Sequence, residues 1–407
     1  MTNQVHLING NQGDRLRVVM VIFPLQGHIN PMLELASLLH SKGLSITIAY
    51  PTINAPSPSN HPEFDYLPFA AGDLSRSGLE LINSDGKDVA KDLNLPGISL
   101  RTSAGVTLLA FSGWTGDQKD SPEDLAEIFK ELIKMKTPAM SDVRAAITKA
   151  YESSTAILVN TMEFLEHQDL NKAQAFFSSQ ILPIGPFHKL APKSTSSNSL
   201  LKEDTSCISW LDKQKPKSVL YISFGSLAKI TAPEFMEAIW GLEASEQPFL
   251  WVIRPGLVIG GQSWDQLLPE SFQETVQKRG CIVSWAPQTQ VLAHQAIGGF
   301  WTHCGWNSTL ESICEGVPMI CKPSFGDQFV NTKCITSVWK VGLDLKDNKI
   351  ERGEIERCVR RLMAENEGDE LRQRAAILKE KAELCLKEEG SSLKYLNKLV
   401  DIISSIR

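Results

Sequence analysis

The first 206 residues of this 407-residue chain contain no cysteine, and all 8 cysteines fall between Cys207 and Cys385. None forms a CxxC pair, and their spacing matches neither a zinc site nor a disulfide framework. Buried free thiols in a reducing compartment are the expectation. A basic excess is also missing: 41 Lys+Arg against 47 Asp+Glu leave a formal charge of −6. Without a basic stripe, nucleic acid is not an expected partner. No apolar run approaches the roughly 18 residues of a membrane helix, so no integral membrane segment is expected. The opening MTNQVHLINGNQGD has no basic start followed by an apolar core, which is not the pattern of a secretory signal. The expected location is therefore cytoplasmic. Finally, FPLQGHINP and ISFGSLAKI both lack the G-x-G-x-x-G turn, which disfavours a nicotinamide oxidoreductase.

What is present is an ordinary globular composition, 42% hydrophobic and 22% charged, at a length that suits two cores. Residues 1–15 read as a loose polar tail. LRVVMVIFP then reads as a strand and QGHIN as a turn. Asn30 and Pro31 read as N-cap and first helical residue of PMLELASLLHSK, which Gly43 ends. LSITIAY is the next strand, so this is a βαβ unit with parallel pairing. FDYLPF, GISLR and ILVNT read as further strands, and helical patterns cover 122–136 and 138–150.

The polar, Ser-rich PKSTSSNSLLKEDTS (192–206) reads as a linker. A second alternation follows. SVLYISFGS is a strand with a Gly-Ser turn, Thr231 and Glu234 form a capping box, and PFLWVIRP is a strand. Two such units imply two doubly wound α/β domains with ligands at strand C-terminal ends. The expected boundaries are 1–190 for the first domain, 191–206 for the linker, 207–385 for the second domain, and 386–407 for a C-terminal helix returning to the first.

The run Trp285–Gln328 carries the most chemistry: WAPQTQVLAHQAIGGFWTHCGWNSTLESICEGVPMICKPSFGDQ. An aromatic opener suits a base. The buried strand GGFWT leads into HCGWNS and the helix STLESICE, whose free N–H groups and positive dipole end suit phosphates. Gly305 allows close backbone approach. His303, Asn307 and Ser308 supply donors, and Gly225-Ser226 can close the other side. Ser308 and Glu311 also read as a capping box. Asp327 and Gln328 end the run. An acid accepts while an amide donates and accepts, so the pair suits adjacent sugar hydroxyls.

Trp285–Gln328 resembles, without gaps, the signature box of plant UDP-sugar-dependent glycosyltransferases acting on small molecules. SVLYISFGS, WVIRP, LPESF, GDQFVN, IERGEIERCVRRLM and FPLQGHINPML fit the same family. LESICEGVPMIC, DQFVN and ILPIGPFHKL resemble its family 76 branch, which includes cytokinin N-glucosyltransferases and enzymes acting on terpenoids and phenolics. The resemblance implies the GT-B fold, two facing Rossmann-like domains with a cleft between them. It implies that Trp285 stacks on uracil while the Ala286 backbone pairs with its edge. Gln288 and Glu311 would hold the ribose. His303, Gly305, Asn307, Ser308 and Ser226 would take the diphosphate, and Trp306, Asp327 and Gln328 the sugar. A terminal Gln implies UDP-glucose as donor. The resemblance implies neither metal nor cofactor, and the expected protein is a monomer whose partners are a UDP-sugar and a small acceptor.

By the same resemblance His28 is the general base of an inverting transfer to a hydroxyl or amine, its reference pKa of about 6.5 suiting the task. Its helper carboxylate is matched best by Asp85 in LINSDGKDVAKDLNLP, with Asp88 and Asp92 as rivals. Here the chain departs from the family. Roughly 40 residues before Asp85 are missing relative to family members, and SGWTGDQKDSPEDL replaces an acceptor-lining stretch. An enzyme that binds donor but turns over poorly is therefore the alternative expectation.

Overall fold

The computed structural model describes residues 3–8, 16–69, 96–111, 145, 147–192, 198–260 and 264–406. The chain divides into two compact units, Met1–Leu200 with Leu384–Arg407, and Leu201–Glu383.

The first unit is built on β1 (Asn3–Ile8), β2 (Arg17–Val21), β3 (Ser45–Pro51), β4 (Asp65–Phe69), β5 (Gly97–Arg101), β6 (Ala156–Val159) and β7 (Gln180–Pro183). Their order in the sheet is β4-β3-β2-β1-β5-β6-β7. Helix α1 (Gln26–Ser41) links β2 to β3, which pair in parallel as the βαβ reading requires. It buries Met32, Leu35, Ala36 and Leu39 against Val18, Met20, Ile46 and Ile48. Gly43, at φ +89°, takes the left-handed conformation that ends the helix. Helix α2 (Glu163–Phe176) connects β6 to β7. The C-terminal helix (Ser391–Ser405) places Leu396, Leu399 and Ile403 in the core of this unit. Ser392 Oγ donates to Gly185 O at 2.5 Å and Tyr395 Oη to Glu163 Oε1 at 3.0 Å.

Two local readings are corrected here. The stretch read as a polar tail contains β1, which lies between β2 and β5 and is antiparallel to both. Without it, two strand edges in mid-sheet would each leave a row of peptide groups unpaired, and that demand outweighs a weak local pattern. Helix α1 begins at Gln26, a turn before the expected Asn30. His28 N and Ile29 N both bond Leu25 O, at 2.8 and 2.9 Å, so the turn closes early. The Asn30 side chain is taken by Gln26 Nε2 rather than by a helix N–H. Gln26 also bonds Asn198 O and Leu200 N, at 3.1 and 2.7 Å, which fixes this turn to the chain leaving the unit. The helix expected over 122–136 lies outside the described residues. Of that expected over 138–150, residues 147–150 are helical.

The second unit contains β8 (Val219–Ser223), β9 (Ile230–Thr231), β10 (Phe249–Val252), β11 (Val258–Ile259), β12 (Gly280–Val283), β13 (Ile297–Thr302), β14 (Met319–Cys321) and β15 (Gly342–Asp344). β9 and β11 pair with each other. The rest form one sheet in the order β12-β10-β8-β13-β14-β15, parallel throughout. Helix α3 (Ala232–Ser245) carries the Thr231–Glu234 capping box in full. Its Phe235, Ile239 and Leu242 pack with Leu220, Ile222, Phe249, Trp251 and Trp301. The sheet order reverses between β8 and β13. Crossovers leave that point in opposite directions, opening a crevice at the strand C-terminal ends where such sheets receive ligands.

Candidate active site

In the second unit the family-matched residues sit on the loops that follow β8, β12, β13 and β14. Helix α4 (Gln288–Ala293) starts just after β12 and a short turn that carries Trp285 and Ala286. The Gln288 side chain is fixed from three sides. Its Oε1 accepts from Tyr221 Oη at 3.2 Å, and its Nε2 donates to Glu311 Oε2 at 2.6 Å and Ser308 Oγ at 2.9 Å. Gln288, Ser308 and Glu311 are thus brought together from two helices. Tyr221, whose hydroxyl orients the amide, was not legible in sequence because it reads as another buried strand residue of β8.

The turn after β13 explains the HCGWNS spacing. Cys304 takes a left-handed backbone at φ +61°, and Gly305 is the N-cap of α5 (Trp306–Glu315). This corrects the Ser308–Glu311 capping box: Ser308 is the third residue of the helix and caps nothing. The helix closes on Gly305 O instead, which accepts from Thr309 N at 2.9 Å and Thr309 Oγ1 at 3.0 Å. Ser308 is freed to meet Gln288. The His303 ring is wedged between two glycines. A Cβ on Gly225 would lie 2.5 Å from its Cε1, and one on Gly305 would overlap its Nε2. Burial pushes the His303 pKa down to about 4, so the ring is neutral near pH 7. A hydrogen bond with the Ser223 backbone partly offsets that fall.

Trp306 is buried at the first position of α5, its ring 6.3 Å from that of Trp339. Asn307 follows in the same turn. After β14, Asp327 caps α6 (Gln328–Lys333). Gln328 is buried, and its Oε1 accepts from Ser324 N at 2.8 Å and Phe325 N at 3.2 Å. That leaves its amide N–H₂ as the group to offer a ligand. Asn331, which sequence reasoning missed, ties this loop to the turn after β13. Its Nδ2 donates to Cys304 O at 2.9 Å and Asp327 Oδ2 at 3.3 Å. All eight cysteines are free thiols, and only Cys281 is less than buried.

In the first unit His28 lies in the opening turn of α1, just beyond β2. Its Nδ1 is 2.9 Å from Oγ1 of Thr102, the residue after β5. β2 and β5 both run against β1, so their C-terminal ends share one edge of the sheet. The ring meets Phe23 edge-on at 5.2 Å. Desolvation, helped by the nearby Arg101 cation, pushes the His28 pKa down to about 3. Arg101 itself is buried, donating to Thr107 Oγ1 at 2.9 and 3.1 Å. Asp85, Asp88 and Asp92 lie outside the described residues.

Comparison with known proteins agrees with this geometry. The family described as "UDP-glucoronosyl and UDP-glucosyl transferase" matches residues 127–370. UDP-glycosyltransferase 76B1 of Arabidopsis thaliana is 42% identical, over 94% of this chain and 97% of its own. UDP-glycosyltransferase 76H1 of Stevia rebaudiana is 40% identical, over 92% of this chain and 100% of its own. The chain belongs to the plant UDP-glycosyltransferases, in their family 76 branch. It is a glycosyltransferase.

Solved UDP-glycosyltransferases share its fold. Os79 from O. sativa, in complex with UDP, superposes with a TM-score of 0.80 at 24% identity, covering 95% of this chain and 99% of its own. Phytolacca americana UGT2, complexed with UDP-2fluoro-glucose and pterostilbene, gives 0.77 at 27% identity, covering 95% and 99%. The fold is GT-B, with two Rossmann-like units. The alignments to 76B1 and 76H1 run over 436 and 430 positions, more than this glycosyltransferase contributes, so its relatives carry residues that it lacks. No described helix is long and apolar enough to cross a membrane.

Proposed function

We propose that the protein moves glucose from UDP-glucose to a hydroxyl or amine of a small plant metabolite, a phenolic, terpenoid or cytokinin, with inversion at the anomeric carbon. The observation that carries this reading is the second unit's switch-point crevice, on whose loops Gln288, Glu311 and Ser308 meet. Trp285 faces uracil and the Ala286 backbone pairs with it. Gln288 and Glu311 hold the ribose. His303, Asn307, Ser308 and Ser226 take the diphosphate, whose charge the N-terminus of α5 also favours. Trp306, Asp327 and the Gln328 amide hold glucose.

His28 is the base. With Nδ1–H donated to Thr102 Oγ1, the basic nitrogen is Nε2. It takes the acceptor's O–H or N–H proton as that atom forms the new bond to C1. The bond from C1 to the diphosphate oxygen breaks on the opposite side, and UDP leaves with the electron pair. An α-linked donor gives a β-glucoside. No metal or cofactor enters this scheme, in which neutral donors and the helix dipole stabilise the leaving diphosphate.

Incubation with UDP-glucose and a panel of phenols, terpenoids and cytokinins should release UDP with at least one acceptor. Silence across the panel would sink the reading. A second reading, donor binding with impaired turnover, draws on the depressed His28 pKa: a base held near pKa 3 is neutral but a poor proton acceptor. Asp85 is the carboxylate proposed to correct this, by stabilising the protonated ring. UDP-glucose binding by calorimetry without turnover at high enzyme, followed by recovery on grafting the missing segment, would favour the second reading.

A further inference from the structure

Arg254 ends the strand segment WVIRP, two residues beyond β10, and the fit to the family gives it no role. Its side chain is 7% exposed. All three of its nitrogens donate to backbone carbonyls: Nε to Gly225 O at 2.9 Å, Nη1 to Pro255 O at 3.1 Å, and Nη2 to Ala228 O. Two of these carbonyls bracket Ser226 and Leu227. The fork therefore grips both ends of the loop that follows β8, and it does so across the sheet.

Two features make this more than a loop brace. First, the charge is buried without an acid. No described carboxylate forms an ion pair with Arg254, and desolvation pushes its pKa down. A guanidinium cannot escape by losing its proton, so the charge persists in the crevice. Carbonyl dipoles soften that cost, but they carry no net negative charge. Second, the charge reaches the site. Arg254 contributes to the lowered pKa of His303, the ring that packs on Gly225.

We infer that Arg254 is a positioning residue for the diphosphate: it shapes the Gly225–Ala228 loop that presents Ser226, and its unmatched positive charge is answered by the donor's phosphates. The inference rests on the donor-site reading given under the proposed function. A planar fork suits the task better than an ammonium, because three carbonyls must be held in fixed directions. The attraction is to charge and not to uracil or ribose, which sit on the loops after β12 and β13.

The test compares UDP with uridine, which has the same base and ribose but no phosphate, by calorimetry on the full chain. Arg254→Gln is expected to weaken UDP about tenfold or more, the scale of a lost charge-assisted interaction, and to leave uridine within about threefold. Arg254→Lys keeps the charge but loses the fork, so its UDP affinity should fall between wild type and Gln. UDP binding should also become less salt-sensitive in the Gln variant. Unchanged UDP affinity in both variants would overturn the inference, and so would equal losses of UDP and uridine, which mark a purely structural role. If Arg254→Gln does not fold, the Lys variant decides alone: weaker UDP with unchanged uridine supports the inference, and any other pattern overturns it. Wild-type protein that binds neither ligand would instead overturn the donor-site reading itself.

Discussion

The two units make an instructive pair. Both are α/β, yet the second is a fully parallel six-stranded sheet with a signature run on its switch-point loops. The first has an antiparallel strand, β1, in the middle of an otherwise parallel sheet, and its expected catalytic carboxylate lies outside the described residues. The second unit's candidate site is set largely by one run, with a left-handed Cys304, Gly305 beside the His303 ring and a helix that starts at once, and Gly225 closes on that ring from the end of β8. The first unit's site joins segments far apart in sequence, His28 to Thr102. The two candidate sites thus differ in what sets them: a signature run on successive loops in one, and a single meeting of two strand ends in the other.

The largest expected effect comes from removing the strand that distinguishes the two sheets. Deleting Met1–Ile8 opens the first sheet between β2 and β5, at a cost of about 4 kcal/mol or more, the range of severe single lesions. Thermal unfolding should begin on the order of 10 °C lower. An unchanged melt would show that β1 contributes little and that the first unit does not depend on it.

Next is the base. His28→Ala should lower kcat by roughly 10²–10⁴-fold and leave UDP affinity unaltered, separating the two units by function. Thr102→Val and Asp85→Asn sharpen the point by asking which group steadies the imidazole. A loss confined to Asp85→Asn would assign the partner to the family's carboxylate, and a loss confined to Thr102→Val would assign it to the hydroxyl.

Gln288→Ala tests the other unit. It leaves the Glu311 carboxylate and the Tyr221 hydroxyl without the amide, so UDP should bind about 1.5–3 kcal/mol more weakly, roughly ten- to a hundredfold in Kd. Turnover at saturating donor should fall far less than in His28→Ala. A Kd equal to wild type would remove Gln288 from the ribose site.

The smallest effect expected is on stability against pH. Burial holds His28 and His188 near pKa 3 and His303 near 4, all below the ordinary value. The unfolded chain binds protons at these sites that the folded chain refuses. Their contribution to stability is therefore complete above about pH 6.5 and is lost as pH falls toward 3. Glu166 opposes this. Burial raises its pKa to about 7, so its proton favours the fold at low pH and that benefit fades as pH rises from about 4.5 through 7. Buried Asp169 is raised as well, but Glu63, Asp204, Glu237, Glu354 and Glu367 are all held below the ordinary carboxylate value and add to the histidines, so a net loss of stability is predicted on acidification below pH 6. His188→Gln should shrink that loss in denaturant titrations at pH 5 and pH 7. An equal loss in variant and wild type would exclude His188 from the effect.

Much of the second unit was legible before any coordinates. Thr231 and Glu234 announce a capping box, Gly316 a helix end, and GGFWT a buried strand, because each is decided within a few residues. The same local logic misplaced two helix starts. Asn30 and Ser308 are good caps in isolation, but Gln26, one helical turn earlier, claims Asn30, and Gln288, on a different helix, claims Ser308. Tyr221, Asn331, Thr102 and Arg254 escaped notice for a related reason. Each reads as an ordinary residue of its own segment and gains meaning only through an atom on another.

The sequence by itself determined the family and the α/β alternation, since tight turns, helix caps and buried strands demand particular side chains at fixed short spacings. Tertiary structure alone decided that β1 completes the first sheet, that His28 meets Thr102, and that a buried arginine grips the loop beside Ser226. Those outcomes follow from satisfying backbone groups and charges across long sequence separations, and no local pattern records which distant partner will do so.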